Sequence, residues 1–311
     1  MMRVTLLAGG VGGAKMAEGL YALPDVDLTV IGNIADDEEF HGLWVSPDID
    51  TLTYTLSGRI NRTQGWGVAD EGTRALETLR DLGQDTWMTL GDRDLGLHIY
   101  RTMRRAKGHR PSDIAADVAR AFGLTCRLVL PTDDVVQTQV ETANGGLSFQ
   151  EYFVRERHAV DVRGLTYEGA ETARPTSEAL HAIATADLIV IAPSNPLLSI
   201  APILAIPGLQ DAIEAAHAPV LAVSPLIAGQ AVKGPAAALM QMAGMRVDAV
   251  GVAGYYGALI DHLVIDRQDA ALADQITGPK VHATDIMMHD AADKARLASE
   301  LLSMVREQAA A

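Results

Sequence analysis

The chain of 311 residues holds one cysteine, Cys126, so no internal disulfide can form and a reducing cytoplasm is the expected setting. Cys126 itself stands in an apolar stretch and reads as a buried, inert thiol. Aromatic residues are few, at 5%. Ala, Val, Ile and Leu fill the space instead, which suits a sheet covered by helices. Positive charge is in deficit. Lys and Arg number 25 against 40 Asp and Glu, a formal net charge of −15. That balance argues against general binding to nucleic acid or to an anionic membrane, though a local positive pocket stays open. Long apolar runs are missing too: the best, residues 188–193, is far too short to span a bilayer. The N-terminus enters a strand without the basic and apolar regions of a signal peptide. Internal repeats are absent, and no G-x-S-x-G elbow offers a nucleophilic serine.

What is present is concentrated near the start. Residues 33–51 read NIADDEEFHGLWVSPDIDT, with six acids (Asp36, Asp37, Glu38, Glu39, Asp48, Asp50) and His41. Just upstream, RVTLLAGGVGGAK is a β-type run that breaks into glycines. Glycines let backbone N–H groups approach an anion, and a following helix N-terminus adds partial positive charge. A phosphate cradle beside carboxylates suggests a metal-assisted reaction on a phosphate-bearing substrate, because a divalent cation must bridge the two. Hard oxygen ligands favour Mg²⁺ over zinc.

The glycine pattern fits neither common nucleotide fingerprint. Gly10 and Gly12 supply the first pair of G-x-G-x-x-G, but Lys15 holds the third place. Ala14 and Met16 break the P-loop, and Asn33 stands where a dinucleotide site wants an acid. Two readings remain, a phosphate-binding loop or a tight strand-to-helix turn that needs small residues. Glu38 and Glu39 alone would be a solvated face. Asp48 and Asp50 lie in a proline-fixed turn at a helix start, where capping and metal binding can coexist. Asp92 and Asp94 read as cap and first-turn acids, and Thr132-Asp133-Asp134 as a turn or a site. Arg93 and Arg101 could meet phosphate or an acidic ring, or lie on the surface. Ser194 and Asn195, locked between prolines after a buried strand, could bond phosphate or a base edge. Lys233 could neutralise a diphosphate.

Patterning predicts a mainly parallel α/β sheet with ligands at its carboxyl ends. Strands are expected at 3–8, 28–31, 127–130, 187–192, 220–223 and 247–252, with a hairpin over 135–141 and 147–154 that turns at residues 144–146. Helices are expected at 14–22, 51–60, 70–82, 92–107, from Pro111 to about 123, at 176–186, and from Asp290. One α/β domain over 1–311, with a helical subdomain at about 52–125, is the expected organisation.

LAGGVGGAK, HGLWVSPDIDT, LGDRDLGLHIYRT, PTDDVVQTQV, FQEYFVR, IAPSNPLLSI and SPLIAGQAVKGPA, in that order, resemble the 2-phospho-L-lactate transferase family. That family acts in biosynthesis of the deazaflavin coenzyme F-420. The resemblance implies a Rossmann-like three-layer sandwich with a small helical subdomain, and a Mg²⁺-dependent transfer. The donor would be the guanosine diphosphate diester of a small phosphorylated acid. The acceptor would be the terminal ribityl hydroxyl of Fo (7,8-didemethyl-8-hydroxy-5-deazariboflavin), with GMP released. By the same resemblance Gly10, Val11, Gly12, Gly13 and Lys15 would cradle the diphosphate, and Ser194 and Asn195 would hold the guanosine end. Asp36, Asp48 and Asp50 would be the metal set, with Asp48 and Asp50 dividing the roles of base and ligand. Asp50 and Arg93 would contact Fo, and a homodimer is expected. The donor acid (phospholactate, phosphoenolpyruvate or phosphoglycerate) stays open. The alternatives are a nucleotide-sugar-binding regulator of the same fold and, less favoured by the broken fingerprint, a dinucleotide-dependent oxidoreductase.

Overall fold

The computed structural model describes residues 1–232 and 234–309. The opening apolar run forms β1 (Met2–Ala8), breaks at Gly9 into α1 (Gly10–Tyr21), and returns as β2 (Val26–Gly32) parallel to β1. A hairpin of β3 (Glu38–Phe40) and β4 (Leu43–Val45) then leads into four successive helices. These are α2 (Pro47–Leu56), α3 (Arg74–Asp81), α4 (Asp92–Ala106) and α5 (Pro111–Ala121). After β5 (Arg127–Val129), a separate antiparallel sheet is built from β6 (Gln137–Thr142), β7 (Gly145–Ser148) and β8 (Val162–Glu168). The second half alternates α6 (Ser177–Thr185), β9 (Leu188–Ile191), α7 (Ala201–Leu204), α8 (Leu209–Glu214) and β10 (Val220–Val223). A small hairpin of β11 (Leu226–Ile227) and β12 (Gln230–Ala231) follows. The chain closes with α9 (Ala236–Met242), α10 (Ala249–Tyr256), β13 (His262–Asp266), β14 (Lys280–Thr284) and α11 (Ala291–Ala309).

Seven strands make the central sheet in the order β14-β13-β10-β9-β1-β2-β5, and all the pairings are parallel. Side chains alternate across it. Leu6 joins the layer of α1, α2, α5 and α11, while its neighbour Leu7 joins the layer of α6, α8 and α10. Both are fully buried, and each such side chain contributes roughly 1.5–3 kcal/mol by leaving water. Helices on both faces make the expected three-layer Rossmann-like α/β sandwich. Between β4 and β5, Tyr54, Ile60, Val68, Leu97 and Val118 form a satellite cluster among the helices. No helix among the described residues is long and apolar enough to cross a membrane.

Three local expectations change. Residues 247–252 are not a strand. Asp248 caps a helix there by accepting from the Gly251 N–H, and the short apolar run fits a buried helix as well as a strand. The sheet is completed instead by β13 and β14. The hairpin turns earlier, since Thr142 pairs with Gly145, and after Ser148 the chain enters a π-helical turn at Glu151–Arg155. Finally, α2 begins at Pro47, whose ring presets φ for a first helical position. Asp48 and Asp50 therefore both lie in its first turn.

Candidate functional site

The site forms where β1, β2 and β9 end side by side. Gly9 is extended, and Gly10 has a φ of +61°, a conformation that suits glycine. A Cβ on Gly12 would collide with the Pro193 carbonyl oxygen. Ser194 draws the two loops together: its hydroxyl donates to the Gly9 carbonyl at 2.7 Å and accepts from the Gly9 N–H at 3.3 Å. Close packing thus explains part of the glycine pattern. It leaves the first-turn N–H groups of α1, which have no partner inside the helix, at the carboxyl edge of the sheet.

Two carboxylates face this turn. Asp48 lies against Gly9, where a Cβ would stand 2.6 Å from Asp48 Oδ2. Asn33, at the end of β2, donates to the same oxygen at 3.0 Å. The Asn33 side chain is fixed in turn by accepting from the Ala35 N–H at 3.0 Å. Beside it is Asp36, whose Oδ1 is buried without a hydrogen-bond partner. Burial, then repulsion from Asp48 and Asp37, holds the Asp36 carboxyl well above the usual range. Burial pushes Asp48 up to about 6, against the pull of Asn33 and the Gly10 N–H. Asp37 turns the other way. Its Oδ2 accepts from Ser46 Oγ at 2.6 Å and from Trp44 Nε1 at 3.1 Å, and burial raises it to about 7.

Asp50 does not join the pair. Residues two apart on a helix point about 200° apart, so Asp50 leaves α2 towards α4. There the Arg101 guanidinium grips both carboxylate oxygens, with Nη1 to Oδ2 at 3.1 Å and Nη2 on Oδ1. His98 Nδ1 stands 3.7 Å from Asp50 Oδ2, and burial lowers its pKa to about 4. Tyr54 and Asp94 complete this buried polar cluster, and burial raises Asp94 to about 6.

The family model for 2-phospho-L-lactate transferase CofD matches residues 4–308. The chain belongs to this family, and it is a transferase. It is 40% identical over 315 residues to a phosphoenolpyruvate transferase from Streptomyces griseus, covering 98% of this chain and 99% of that one. It is equally 40% identical, over 310 residues, to a 2-phospho-L-lactate transferase from Methanopyrus kandleri, covering 98% of each. Among solved structures, a protein of the UPF0052 family from Bacillus halodurans shares the fold. Its TM-score is 0.63 at 16% identity, covering 97% of this chain and 100% of that one.

Within this CofD-family frame, the structure brings Gly10, Val11, Gly12, Gly13, Ser194, Asp36 and Asp48 to one place. Other expected residues have different partners. Lys15 donates to the Met288 carbonyl at 2.8 Å. Asn195 accepts from the N–H groups of Leu197 and Leu198, at 2.9 and 3.2 Å, and so caps the turn after β9. Arg93 is exposed and donates to the Ala69 carbonyl at 2.8 Å. Asp50, expected as base, metal ligand and Fo contact, has both oxygens occupied by Arg101. Lys233 lies outside the described residues. Asn33 matters more than its sequence suggests, since it orients Asp48.

The three-aspartate metal set is not assembled. Among the described residues, no group of three or more His, Cys, Asp or Glu could hold a metal ion. Asp36 and Asp48 by themselves still fit Mg²⁺. They are buried together, they repel, and one oxygen is unpaired. Mg²⁺ commonly takes one or two carboxylates and completes its shell with water and substrate phosphates.

Proposed function

We propose that the protein transfers a phospho-acid group from its guanosine diphosphate diester to the terminal ribityl hydroxyl of Fo, releasing GMP, as a Mg²⁺-dependent step of coenzyme F-420 biosynthesis. The observation that carries this reading is the contact of the Asp48 carboxylate with the Gly9 turn, beside an Asp36 oxygen that has no partner.

The chain's own residues supply positioning. The N–H groups of Val11 and Gly12 at the start of α1, which the Asp48 carboxylate leaves free, bind diphosphate oxygens and stabilise charge on the departing GMP. Asp36 and Asp48 would hold the Mg²⁺, which when bound would supply positive charge against theirs and that of the diphosphate. Asp48, oriented by Asn33, accepts the proton of the attacking hydroxyl. The hydroxyl oxygen forms a bond to the phosphorus that carries the acid. The bond from that phosphorus to the bridging oxygen breaks, and GMP leaves with the bridging oxygen. Alignment of the two oxygens on that phosphorus is the main catalytic demand. Asp50 acts at a distance by holding α4 to α2 through Arg101. The relatives named above carry different donor names at the same identity, so overall likeness favours neither phosphoenolpyruvate nor phospholactate.

The test is an assay with Fo, GTP, Mg²⁺, each phospho-acid in turn and a guanylyltransferase that makes the labile donor, followed by mass spectrometry. A new Fo phosphodiester with GMP release supports the reading, and its mass names the acid. No product from any donor, together with binding of a nucleotide sugar, supports the regulator instead.

A further inference from the structure

A buried acid beside like charges is drawn towards water unless something holds it in place. Asp36 is such an acid, close to Asp48 and Asp37. Four successive residues of its loop are held by one element, the antiparallel sheet of β6, β7 and β8. The Thr138 N–H donates to the Ala35 carbonyl at 2.7 Å. Gln150 Nε2 donates to the Asp36 carbonyl at 2.9 Å, and Gln137 Nε2 to the Asp37 carbonyl at 2.8 Å. Ser148 Oγ donates to the Glu38 carboxylate at 2.8 Å. The last three partners lie 114, 100 and 110 residues from the groups they bind.

Gln150 is the most constrained of these donors. Its side chain is buried, and its backbone is locked from both sides. Ser148 and Glu151 form a reciprocal capping box around it. The Ser148 hydroxyl accepts from the Glu151 N–H at 3.2 Å, and the Glu151 carboxylate accepts from the Ser148 N–H at 3.0 Å. Gln150 then leads into the π-helical turn Glu151–Arg155, where Tyr152 is fully buried and Phe149 stacks on Phe153. Its amide is therefore a fixed donor. The carbonyl it grips belongs to the peptide that joins Asp36 to Asp37. Turning that peptide changes ψ of Asp36 and φ of Asp37 together. Holding it sets which of the two acids faces Asp48 and which faces Ser46 and Trp44.

Resting on the function proposed above, we infer that Gln150 is a positioning residue for the divalent cation. It touches neither cation nor substrate. By fixing the peptide after Asp36 it keeps that carboxylate beside Asp48, so that the cation meets a pair already formed. Groups that orient metal ligands in this way are worth about 10–100-fold in metal affinity.

Two variants separate positioning from packing. Gln150→Met keeps the volume and removes the donor. Gln137→Met does the same at the next peptide, whose acid, Asp37, is bonded to Ser46 and Trp44 and is not a proposed ligand. Each leaves one carbonyl without its partner, so both should lower the unfolding midpoint. Mn²⁺, a paramagnetic stand-in for Mg²⁺, is titrated into each full-length protein without substrate, and free Mn²⁺ is read by electron paramagnetic resonance. Gln150→Met should bind it about 10–100-fold more weakly than wild type, and Gln137→Met within about twofold. In turnover, Gln150→Met should need correspondingly more Mg²⁺ and regain most of kcat when Mg²⁺ saturates. Unchanged Mn²⁺ affinity in Gln150→Met overturns the assignment. So does equal weakening in both variants, because the loop would then have loosened as a whole. If Gln150→Met does not fold, Gln150→Asn, whose amide is one methylene further from the carbonyl, is judged by the same titration. Wild type that binds no Mn²⁺ overturns the metal-dependent function and this assignment with it. Wild type and Gln150→Met that bind it equally overturn the assignment alone.

Discussion

Asp48 and Asp50 leave the first turn of α2 on opposite sides, Asp48 towards Asn33 and Gly9, Asp50 into the grip of Arg101. The two carboxylates of one short motif therefore do different work. One belongs to the candidate reaction centre, and the other to the joint between α2 and α4.

Asp50→Asn should cost stability before it costs chemistry. The Asp50 and Arg101 side chains are 7% and 9% exposed, and leaving one buried charge unpaired costs about 3–5 kcal/mol. Thermal unfolding should show a clearly lower midpoint. The double change Asp50→Asn with Arg101→Met should recover much of it. A single variant as stable as wild type would contradict the joint.

Asp48→Asn should show the reverse. Removing one of two repelling carboxylates relieves the metal-free fold, so its unfolding midpoint should equal or exceed wild type at pH 7.5. Turnover should fall by at least about 10²-fold, the usual scale for losing a general base. Turnover near wild type would remove Asp48 from the centre.

Metal-free stability should decline as pH rises. Burial lifts Asp48 to about 6 and Asp37 to about 7 from 3.8, and Asp36 rises as well. Between about 4 and 7 the folded state therefore holds protons that the unfolded chain has lost, so each step up in pH favours unfolding. Denaturation midpoints measured without divalent cation should fall from pH 5 to pH 7.5. Added Mg²⁺ should flatten the trend, because binding to the folded state alone stabilises it. A midpoint that rises over this range would refute the buried-pair account.

Gly12→Ala should destabilise the fold by roughly 1–3 kcal/mol, the scale of overpacking. The added methyl meets the Pro193 carbonyl, which is backbone and cannot rotate away. Urea unfolding measures this directly. No loss would show that the β9 turn yields more than its packing suggests.

Much of the architecture was written locally. The apolar run of β1, the Pro111 start of α5, the Thr176 cap of α6 and the buried run of β9 each announce an element from neighbours in sequence. So does the glycine break after β1, and the order of the seven motifs identified the family. These signals act within a few residues, which is the range sequence patterning reads. Residues 247–252 misled because a short apolar stretch satisfies strand and helix alike, and only the Asp248 cap and the room beside β13 decided between them.

Pairing was beyond sequence. That Asp48 belongs with Asn33, Asp50 with Arg101, Lys15 with Met288 and Arg105 with Trp44 depends on contacts across 15, 51, 273 and some sixty residues. The spacing D-I-D looked like one site because both acids are close along the chain. The helix turns them apart, and the surrounding elements supply each with a different partner. Sequence by itself determined the fold class, the family and the segment in which the candidate site lies. Tertiary structure alone decided which carboxylates meet, because a side chain's partner is set by the faces that packing brings together.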